Sequence, residues 1–519
     1  MLRIAAAIVM AVGPLSGAAP DARLSLVFTQ VSGQSQRLVR LLPDGTVRVL
    51  SQNFFAAADP EVSFDGQQVL FAGKKQPSDR WQIHEMSVDG TGVRQLTRET
   101  MECRAPLYQS GMFTLDADQP WHQVAFAGSR GGPWSLYSVL PDGSKLRRLT
   151  YDPYDARDPF LAPDGRMLFS GGQGKRANVF GVSMDGADFA LFSGPEGPPV
   201  KRAPVVTTGG LAVFVGGDGA LGAVSMRRNL HSFHALTTRT DGQFDCPSPL
   251  PGGSLLVSRK QPGGSWGIWR FDPSTRRMTL VYDDPAYDDL QPKLAAPRAE
   301  PDGRTSMVDE SEANGRFYCL SVYTSDAPEL LQGARRVRVV EGVGPALHPR
   351  LLGELDLDGD GSFQIQTPAN TPVKFQIVDA DGVALRSCAW VWNKNKENRG
   401  CIGCHEDGEL TPENRFATAL GRPAVALTLP PDRRRTVRFD RDVAPVLEAK
   451  CASCHRASRQ LRLEKLIVPG AARESALVRS LLARGVPAMP PPGAPALTPE
   501  QRRTIVEWID LGALTGGTQ

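Results

Sequence analysis

The pentapeptide Cys-x-x-Cys-His occurs twice in this chain of 519 residues. Two thiols at this spacing reach the two vinyl groups of one porphyrin, and the imidazole that follows them can bind the iron. The pattern is the attachment signature of a c-type haem, so we predict two covalently bound haems. The predicted attachment thiols and iron ligands are Cys401, Cys404 and His405 for the first haem and Cys451, Cys454 and His455 for the second.

Other roles for paired cysteines fit this sequence less well. A zinc ribbon spaces its Cys-x-x-Cys pairs by about 15–20 residues, whereas residues 405 to 450 separate the two motifs here. A thioredoxin-like dithiol needs one motif near a βαβ pattern, with no fixed His after it. The spacing therefore favours haem over both alternatives.

The elements that must position the second motif are helices. Within residues 436–519, Val443 and Leu447 lead into Cys451 at helical spacing. Asp440 precedes them, and an aspartate is a favoured helix N-cap. We therefore expect a capped helix that ends in the second motif.

A further helix is predicted near the end of the chain. Thr498–Gln501 has the pattern of a capping box, with Pro499 at the first helical position. Ile505, Trp508 and Ile509 follow on one face. Two helices that flank a haem motif resemble a small class I cytochrome c.

The second iron ligand of the C-terminal haem follows by elimination. No His occurs after His455, and Met489 is the only Met beyond Met307. Met489 precedes three prolines, which matches the methionine loop of the class I cytochromes. An ordinary surface methionine is the alternative. With His/Met ligation the reduction potential is higher than with two histidines, which suits the transfer of single electrons.

The first half of the chain is a repeat with a period near 45 residues, and such a period indicates a propeller or a solenoid. Successive units are separated by 46, 53, 45, 43 and 45 residues. Their anchors are the dipeptides Asp59-Pro60, Ala105-Pro106, Asp158-Pro159, Ala203-Pro204, Cys246-Pro247 and Gln291-Pro292.

Two sets of glycines mark turns within the units, because glycine supplies hairpin geometry. One set follows the anchor proline by six residues, and the other follows Asp. The glycines that follow an anchor proline are Gly66, Gly165, Gly210 and Gly253. The glycines that follow Asp are Gly45, Gly90, Gly143 and Gly186. These units resemble the blades of TolB-like propellers. We expect six four-stranded blades, with the last strand completing the first blade, since closure removes open sheet edges.

The segment between the propeller and the C-terminal helices alternates apolar and polar residues. Phe317–Tyr323 and Val373–Val378 have the strand period, so we expect a small β-rich domain. The acidic run Asp356–Gly361 imitates the start of a calcium loop, but Thr367 stands where that loop needs Glu, and we interpret the run as a hairpin turn. Trp390–Trp392 can place two indoles against a porphyrin, or both can pack in an ordinary core.

This middle segment resembles a known family. Asp360–Phe363, Pro368, Trp390–Trp392 and Arg399–Glu406 are similar to the middle domain of the hydrazine synthase alpha subunit and its bacterial relatives. The propeller before the segment and the haem domain after it extend the resemblance to nearly the whole chain. It implies a mainly β fold: a six-bladed TolB-like propeller, a small β-rich haem domain and an α-helical cytochrome c domain.

The resemblance also implies roles at the first haem, where this chain departs from the pattern. In that family a Tyr just after the motif binds the iron, and the motif His turns to a zinc ion. Here Glu409 lies four residues after His405, and no Tyr occurs beyond Tyr323. We therefore expect His405 to be the iron ligand. Cys319 is a candidate metal-site thiol, although a buried structural Cys is the commoner outcome.

The N-terminus has the features of a secretory signal peptide. Arg3 precedes the apolar run Ile4–Val12, and small residues end at Ala18. The run is far shorter than the ~20 residues that span a bilayer, and we expect no membrane span in the mature chain. The predicted location is the periplasm or another exported compartment.

Charge and cysteine content limit the partners. The formal net charge is only +3, which gives no electrostatic reason to expect nucleic acid. Four cysteines lie outside the haem motifs, and in an oxidising compartment they allow up to two disulfides in three connectivities. These residues are Cys103, Cys246, Cys319 and Cys388.

The expected order of segments is a signal peptide (1–18), a propeller (19–299), a middle domain with the first haem (300–435) and a cytochrome c domain with the second haem (436–519).

Two functions fit this order of domains. The first is a dihaem electron-transfer cytochrome whose propeller is a scaffold or docking face for a redox partner protein. The second is a haem oxidoreductase that acts on a small molecule at an open middle haem, with the C-terminal haem as its electron port. The first requires only what the residues show, and no catalytic residue can be assigned.

Overall fold

The computed structural model describes residues 24–114, 119–173, 175–343, 348–405, 407–409, 411, 413–414, 416–428, 430, 433–455 and 462–514. The predicted signal peptide lies outside these residues. Strands dominate the chain up to residue 426, and helices dominate after residue 438. The prediction of a mainly β fold with a helical C-terminal part is therefore confirmed.

The first 25 strands form the propeller and one excursion from it. In chain order they are β1 (Leu26–Ser32), β2 (Ser35–Leu41), β3 (Val47–Val49), β4 (Ala56–Val62), β5 (Gln68–Lys74), β6 (Gln82–Ser87), β7 (Arg94–Gln95), β8 (Glu102–Tyr108), β9 (Met112–Phe113), β10 (Val124–Ser129), β11 (Ser135–Val139), β12 (Arg147–Arg148), β13 (Asp155–Leu161), β14 (Arg166–Gln173), β15 (Arg176–Ser183), β16 (Ala190–Leu191), β17 (Lys201–Val206), β18 (Leu211–Gly216), β19 (Leu221–Ser225), β20 (His234–Ala235), β21 (Gln243–Pro249), β22 (Leu255–Lys260), β23 (Trp266–Phe271), β24 (Met278–Tyr282) and β25 (Asp288–Leu294).

These strands form six antiparallel blades within the described residues. Four blades are continuous in sequence, namely β4–β7, β13–β16, β17–β20 and β21–β24, and a fifth, formed by β8 with β10–β12, is interrupted by β9. The remaining blade joins the two ends of the propeller, because β25 pairs with β1 beside β2 and β3. Leu26 lies opposite Leu294, and Val31 lies opposite Asp288. The predicted closure of the first blade by the last strand is confirmed.

The residue before each anchor proline has left-handed backbone geometry, which non-glycine residues adopt rarely. At the same place the pairing of the blade's first strand shifts register, so each blade carries a β-bulge there. The φ angles are 56° at Asp59, 48° at Ala105, 53° at Asp158, 49° at Ala203, 48° at Cys246 and 58° at Gln291. Each anchor dipeptide of the sequence repeat therefore marks a β-bulge in one blade.

Side chains link the bulges of neighbouring blades. Asp59 accepts a hydrogen bond from the Ala105 N–H at 2.9 Å, and its own N–H donates to Gln291 Oε1 at 2.9 Å. Arg104 pairs with the same Asp59 carboxylate. These bonds satisfy backbone groups that the bulges remove from the strand ladders.

The unit that is 53 residues long departs from the blade pattern. After β8 the chain leaves the blade through β9 and returns at β10. In the parallel pairing of β9 with β26 (Arg304–Thr305), Met112 lies opposite Arg304. The extra length thus attaches the propeller to the segment that follows it.

The middle segment contains two sheets of four strands among the described residues. One has the order β33-β27-β30-β34, and the other has the order β29-β28-β31-β32. The strands are β27 (Asn314–Cys319), β28 (Arg336–Val343), β29 (His348–Asp356), β30 (Phe363–Pro368), β31 (Val373–Val378), β32 (Ala384–Ser387), β33 (Asn398–Cys401) and β34 (Val425–Ala426).

One expectation about this segment is wrong. The acidic run at Asp356–Gly361 is a turn, but it does not close a hairpin: it connects β29 of one sheet to β30 of the other. Its carboxylates hold a later loop. Asp360 accepts hydrogen bonds from Thr418, and Asp358 pairs with Arg422 at 2.7 Å.

The C-terminal segment is helical. Its α-helices are α1 (Ala444–Lys450), α2 (Ala452–His455), α3 (Leu463–Leu466), α4 (Ala476–Leu481) and α5 (Pro499–Asp510). A π-helical turn at Phe439–Val443 precedes α1, and 3-10 turns lie at Arg239–Asp241, Pro251–Gly253, Pro328–Leu331, Thr418–Gly421 and Ala472–Glu474. Of the described helices, not one has both the length and the apolar character needed to span a bilayer.

One predicted helix cap is present and the other is not. The capping box of α5 is confirmed, because Thr498 Oγ1 accepts from the Gln501 N–H at 3.2 Å and Gln501 Oε1 accepts from the Thr498 N–H at 3.0 Å. The cap at Asp440 is wrong. Asp440 pairs with the Arg438 side chain, and it is Asp442 that accepts the Arg438 N–H, at 2.7 Å. The π-helical turn displaces the helix start past the residue that the pattern indicated.

Candidate haem sites

The first motif begins at the end of a strand. β33 pairs in parallel with β27, which places Cys401 opposite Cys319. The chain then turns away from the sheet, and the 324–326 loop holds it: the Cys404 N–H donates to Thr324 O at 2.9 Å, and the Asp326 N–H donates to His405 O at 3.1 Å. The motif is therefore a strand end followed by a turn.

Two glycines let the first motif approach its neighbours closely. A Cβ at Gly403 would lie 2.0 Å from Thr324 O, and a Cβ at Gly400 would lie 2.4 Å from the Tyr318 hydroxyl. His405 has a φ of 61°, in the left-handed region. Its Nε2 lies 2.9 Å from Ser387 O. Backbone from three different segments thus surrounds the motif.

Four of the cysteines lie in or against the apolar core of the middle segment: Cys319, Cys388, Cys401 and Cys404. Burial raises the pKa of Cys388 to about 11, and its Sγ accepts from the Phe375 N–H at 3.1 Å. The other two non-motif cysteines, Cys103 and Cys246, belong to β8 and β21. These strands are the first strands of blades that face each other across the ring, too far apart for a disulfide.

The residues after the first motif contact the propeller. Glu409 Oε1 accepts the Leu230 N–H at 2.7 Å, and Glu409 Oε2 lies 3.4 Å from Arg228 Nε. Asp407 Oδ2 lies 2.8 Å from His231 Nε2, and this hydrogen bond raises the pKa of His231. The side chain of Glu409 is therefore held by the propeller. The sequence carries no local signal for this contact, because about 180 residues separate the partners.

The segment Trp390–Trp392 links all three parts of the chain. Trp390 belongs to the apolar core of the C-terminal helices, and Val391 packs against the middle core. Trp392 is fully buried in the propeller core, where its ring stacks on Phe189 at 4.1 Å and its N–H donates to Gly186 O at 3.1 Å. Alternation along an extended chain sends the two indoles to opposite domains. Of the two alternatives that the sequence left open, the structure supports packing in apolar cores, although the two indoles enter different cores.

The second motif is helical. The Cys451 N–H donates to Leu447 O at 2.9 Å, which continues the α1 ladder, and the His455 N–H donates to Cys451 O at 3.1 Å. Cys451 packs against the C-terminal apolar core, whereas Cys454 is exposed. One helical turn thus separates the two thiols.

Met489 lies in the proline-rich loop between α4 and α5. Its N–H donates to Ser480 O at 2.9 Å, and its side chain is 42% exposed. Three further large apolar side chains of this small segment are also exposed: Val468, Val486 and Leu514. The donor set of two thiols, an imidazole and a thioether fits haem.

A buried charge network attaches α5 to the middle segment. Arg338 is fully buried and pairs with Glu354 at 2.8 Å, and it lies 3.8 Å from Glu507 and 3.6 Å from Asp510. The Asp510 carboxylate accepts the N–H of Ala384 at 3.0 Å, and burial raises its pKa to about 6. Removing one partner from such a network leaves an uncompensated buried charge, so the two segments are held in one arrangement.

Comparisons with known proteins agree with this architecture. Residues 327–406 match the model of the hydrazine synthase alpha subunit middle domain, and residues 440–509 match the model of cytochrome c oxidase, cbb3-type, subunit III. The hydrazine synthase subunit alpha of Kuenenia stuttgartiensis is 24% identical, over 90% of this chain and 86% of that protein. The solved hydrazine synthase of the same organism superposes with a TM-score of 0.83 at 21% identity, covering 96% of each chain.

The fold and the matches define the class first. This is a propeller protein with a β-rich middle domain and a C-terminal c-type cytochrome domain. Within that class, the chain is a relative of the hydrazine synthase alpha subunit.

Proposed function

We propose that this chain is an exported dihaem c-type cytochrome that transfers single electrons to a redox partner protein. The observation that carries the proposal is the presence of two Cys-x-x-Cys-His motifs, each fixed in its own frame within one packed unit. When bound, haem supplies a one-electron iron couple. The chain supplies the thiols of Cys401, Cys404, Cys451 and Cys454 for attachment.

The proposed iron ligands are side chains of the two motifs and one loop. His455 ends the helical turn that carries its two thiols, and Met489 lies in the exposed loop of the same domain. His405 is the ligand at the first motif. Glu409 is not proposed as a ligand, because it lies outside the Cys-x-x-Cys-His motif and its carboxylate contacts the propeller loop.

Rigid attachment of the two motifs supports electron transfer over catalysis. Trp390 and Trp392 fix the middle segment to both neighbouring domains, and the Arg338 network holds α5 in place. A frame that rearranges little when the charge of the iron changes suits a one-electron relay. The propeller then acts as a scaffold and docking face.

A haem oxidoreductase is the second candidate. The first motif lies against the propeller loop that contains Arg228 and Leu230, and seams between domains are common places for small-molecule sites. The relative's name, hydrazine synthase, also denotes an enzyme. In this alternative the first haem keeps one position for a small molecule, and the C-terminal haem supplies or accepts the electrons.

The proposal includes export and a domain division. The pattern at residues 1–18 is that of a signal peptide, and covalent haem attachment requires delivery to the compartment where the ligation machinery acts. We assign the propeller to residues 19–299, the middle domain to 300–435 and the cytochrome c domain to 436–519.

The test is a reductive titration of the exported, haem-loaded protein. The proposal expects an intact mass with two haems, uptake of two electrons per chain in two one-electron steps, and rapid reoxidation by a small oxidised c-type cytochrome. Uptake of fewer than two electrons would contradict it. A protein that fails to reduce any protein acceptor but turns over a small molecule would favour the oxidoreductase.

A further inference from the structure

A cavity of about 460 Å³ lies between the propeller and the middle segment. The excursion through β9 forms one wall, and the segment after β26 forms another. The side chains used below line it: Met112, Trp121, Leu149, Met307, Lys394 and Lys396. The one unit that departs from the blade repeat therefore builds this cavity.

Most charges around the cavity are neutralised by their neighbours. Arg147 pairs with Glu310 at 2.5 Å, and Lys396 lies 3.3 Å from Asp309. The remaining carboxylate, Asp185, accepts the Ser306 hydroxyl at 2.8 Å. None of these groups needs a further partner.

Lys394 is the exception. Its side chain is buried, with the residue 6% exposed, and its Nζ donates to Arg148 O at 3.1 Å and lies 5.0 Å from the centre of the Tyr151 ring. Within the described residues no carboxylate is close enough to form an ion pair with it. Burial lowers the pKa of Lys394 to about 8, with Asp185, Glu310 and Glu397 acting against this at longer range. A buried ammonium is costly unless an anion pairs with it.

A buried polar group without a partner lines the same cavity. Among the residues that the structure describes, the buried indole N–H of Trp121 has no hydrogen-bond partner, and leaving a buried donor unsatisfied is costly. Met112, Leu149 and Met307 provide apolar surface beside it. Among the described residues, the cavity thus combines a buried ammonium that has no carboxylate partner and an indole N–H that has no acceptor with an apolar wall.

We propose that this cavity binds a small organic carboxylate with an apolar body. The carboxylate pairs with the Lys394 ammonium, and the apolar body packs against Trp121 and the methionines. The site is separate from both haem motifs, and the proposal stands whether the chain transfers electrons or catalyses a reaction. Binding changes no covalent bond.

The test is calorimetric titration of the haem-loaded full chain with benzoate, and with benzamide as its neutral analogue. Benzoate is expected to bind with a dissociation constant in the millimolar range or below, at least tenfold tighter than benzamide, since a hydrogen bond to a charged group contributes about 1.5–3 kcal/mol. Lys394→Met should weaken benzoate binding at least tenfold and leave benzamide binding unchanged. Affinity should fall as the pH rises through about 8, where Lys394 loses its proton.

Matched variants separate this site from general charge effects. Lys396→Met removes an exposed cation of the same cavity whose charge Asp309 already neutralises, and it should change benzoate affinity less than twofold. Trp121→Phe keeps the ring but removes the N–H and should weaken binding severalfold. If Lys394→Met unfolds, Lys394→Gln and the pH profile of the native chain provide the same comparison. No benzoate binding, equal affinity in Lys394→Met, or inorganic phosphate binding as tightly as benzoate would each overturn the proposal.

Discussion

The two Cys-x-x-Cys-His motifs have the same spacing, but they differ in backbone conformation and in the contacts that hold them. The second is one turn of helix, held by the ladder that runs from Leu447 to His455. The first is a strand end and a turn, held by Thr324, Ser387 and the propeller. The pentapeptide alone therefore predicts the attachment chemistry, but it does not determine the backbone conformation of the motif.

The variable positions of the motifs reflect this difference. Gly403 in the first motif is required by close approach, because a Cβ there would lie 2.0 Å from Thr324 O. The corresponding position of the second motif is Ser453, on a helix where a side chain is accommodated without difficulty. Contacts with other segments of the chain constrain the backbone of the first motif, whereas the second motif is held by the hydrogen bonds of its own helix.

Removing the attachment thiols should have the largest effect and should differ between the motifs. Cys451→Ala with Cys454→Ala is expected to remove one haem and to destabilise the C-terminal helices, because a small haem domain takes part of its core from the porphyrin even though these helices also pack around an apolar core of their own. Cys401→Ala with Cys404→Ala should also remove one haem, but the two sheets of the middle segment should remain folded on their own apolar core. Intact mass and circular dichroism measure both outcomes.

Limited proteolysis provides the control for this pair of variants. New cleavage after residue 438 is expected only in the variant of the second motif. Equal loss of structure in both variants would show that the two frames depend on haem to the same extent.

Trp392→Ala should be the most damaging single substitution in the frame of the first motif. Trp392 is fully buried, stacks on Phe189 and donates to Gly186, and deleting such a side chain costs about 3–5 kcal/mol. Denaturant unfolding measures this loss. Trp134→Ala, which removes a half-buried ring from a blade, is the control and should cost clearly less. Equal costs would mean that Trp392 does not join the propeller to the middle segment.

The sequence predicts the periodic parts of this molecule and the locally encoded ones. The anchors of the repeat coincide with bulges, and the capping box of α5 lies where the pattern indicated. The contacts that frame the first motif could not be predicted, since Glu409 and Leu230 are far apart in the chain. The same reason explains why two alternatives stayed open for Trp390 and Trp392: alternation is visible in the sequence, but the identity of the packing partner is not.

Met489→Ala should change the second haem and leave the first unaltered. Loss of the thioether is expected to give a high-spin or water-ligated iron and a lower reduction potential, because no other Met or His in that domain can replace it. Visible spectroscopy and redox titration measure both effects. A sulfur-to-iron band that persists in the variant would show that Met489 is not the ligand.

Glu409→Gln should have the smallest effect. The amide oxygen can still accept the Leu230 N–H, so only the weak pairing with Arg228 is lost, and the spectrum of the first haem should be unchanged. Glu409→Ala, which also removes the hydrogen bond, should lower the free energy of unfolding by about 1 kcal/mol. A spectral change in Glu409→Gln would identify this carboxylate as an iron ligand.

The most direct test of the electron-transfer proposal is the addition of carbon monoxide to the dithionite-reduced protein. A relay needs both irons closed by two axial ligands, so neither haem should bind carbon monoxide. Binding at one haem, lost when Cys401 and Cys404 are replaced by Ala but kept when the second motif is altered, would contradict the proposal and identify the first motif as a reaction site.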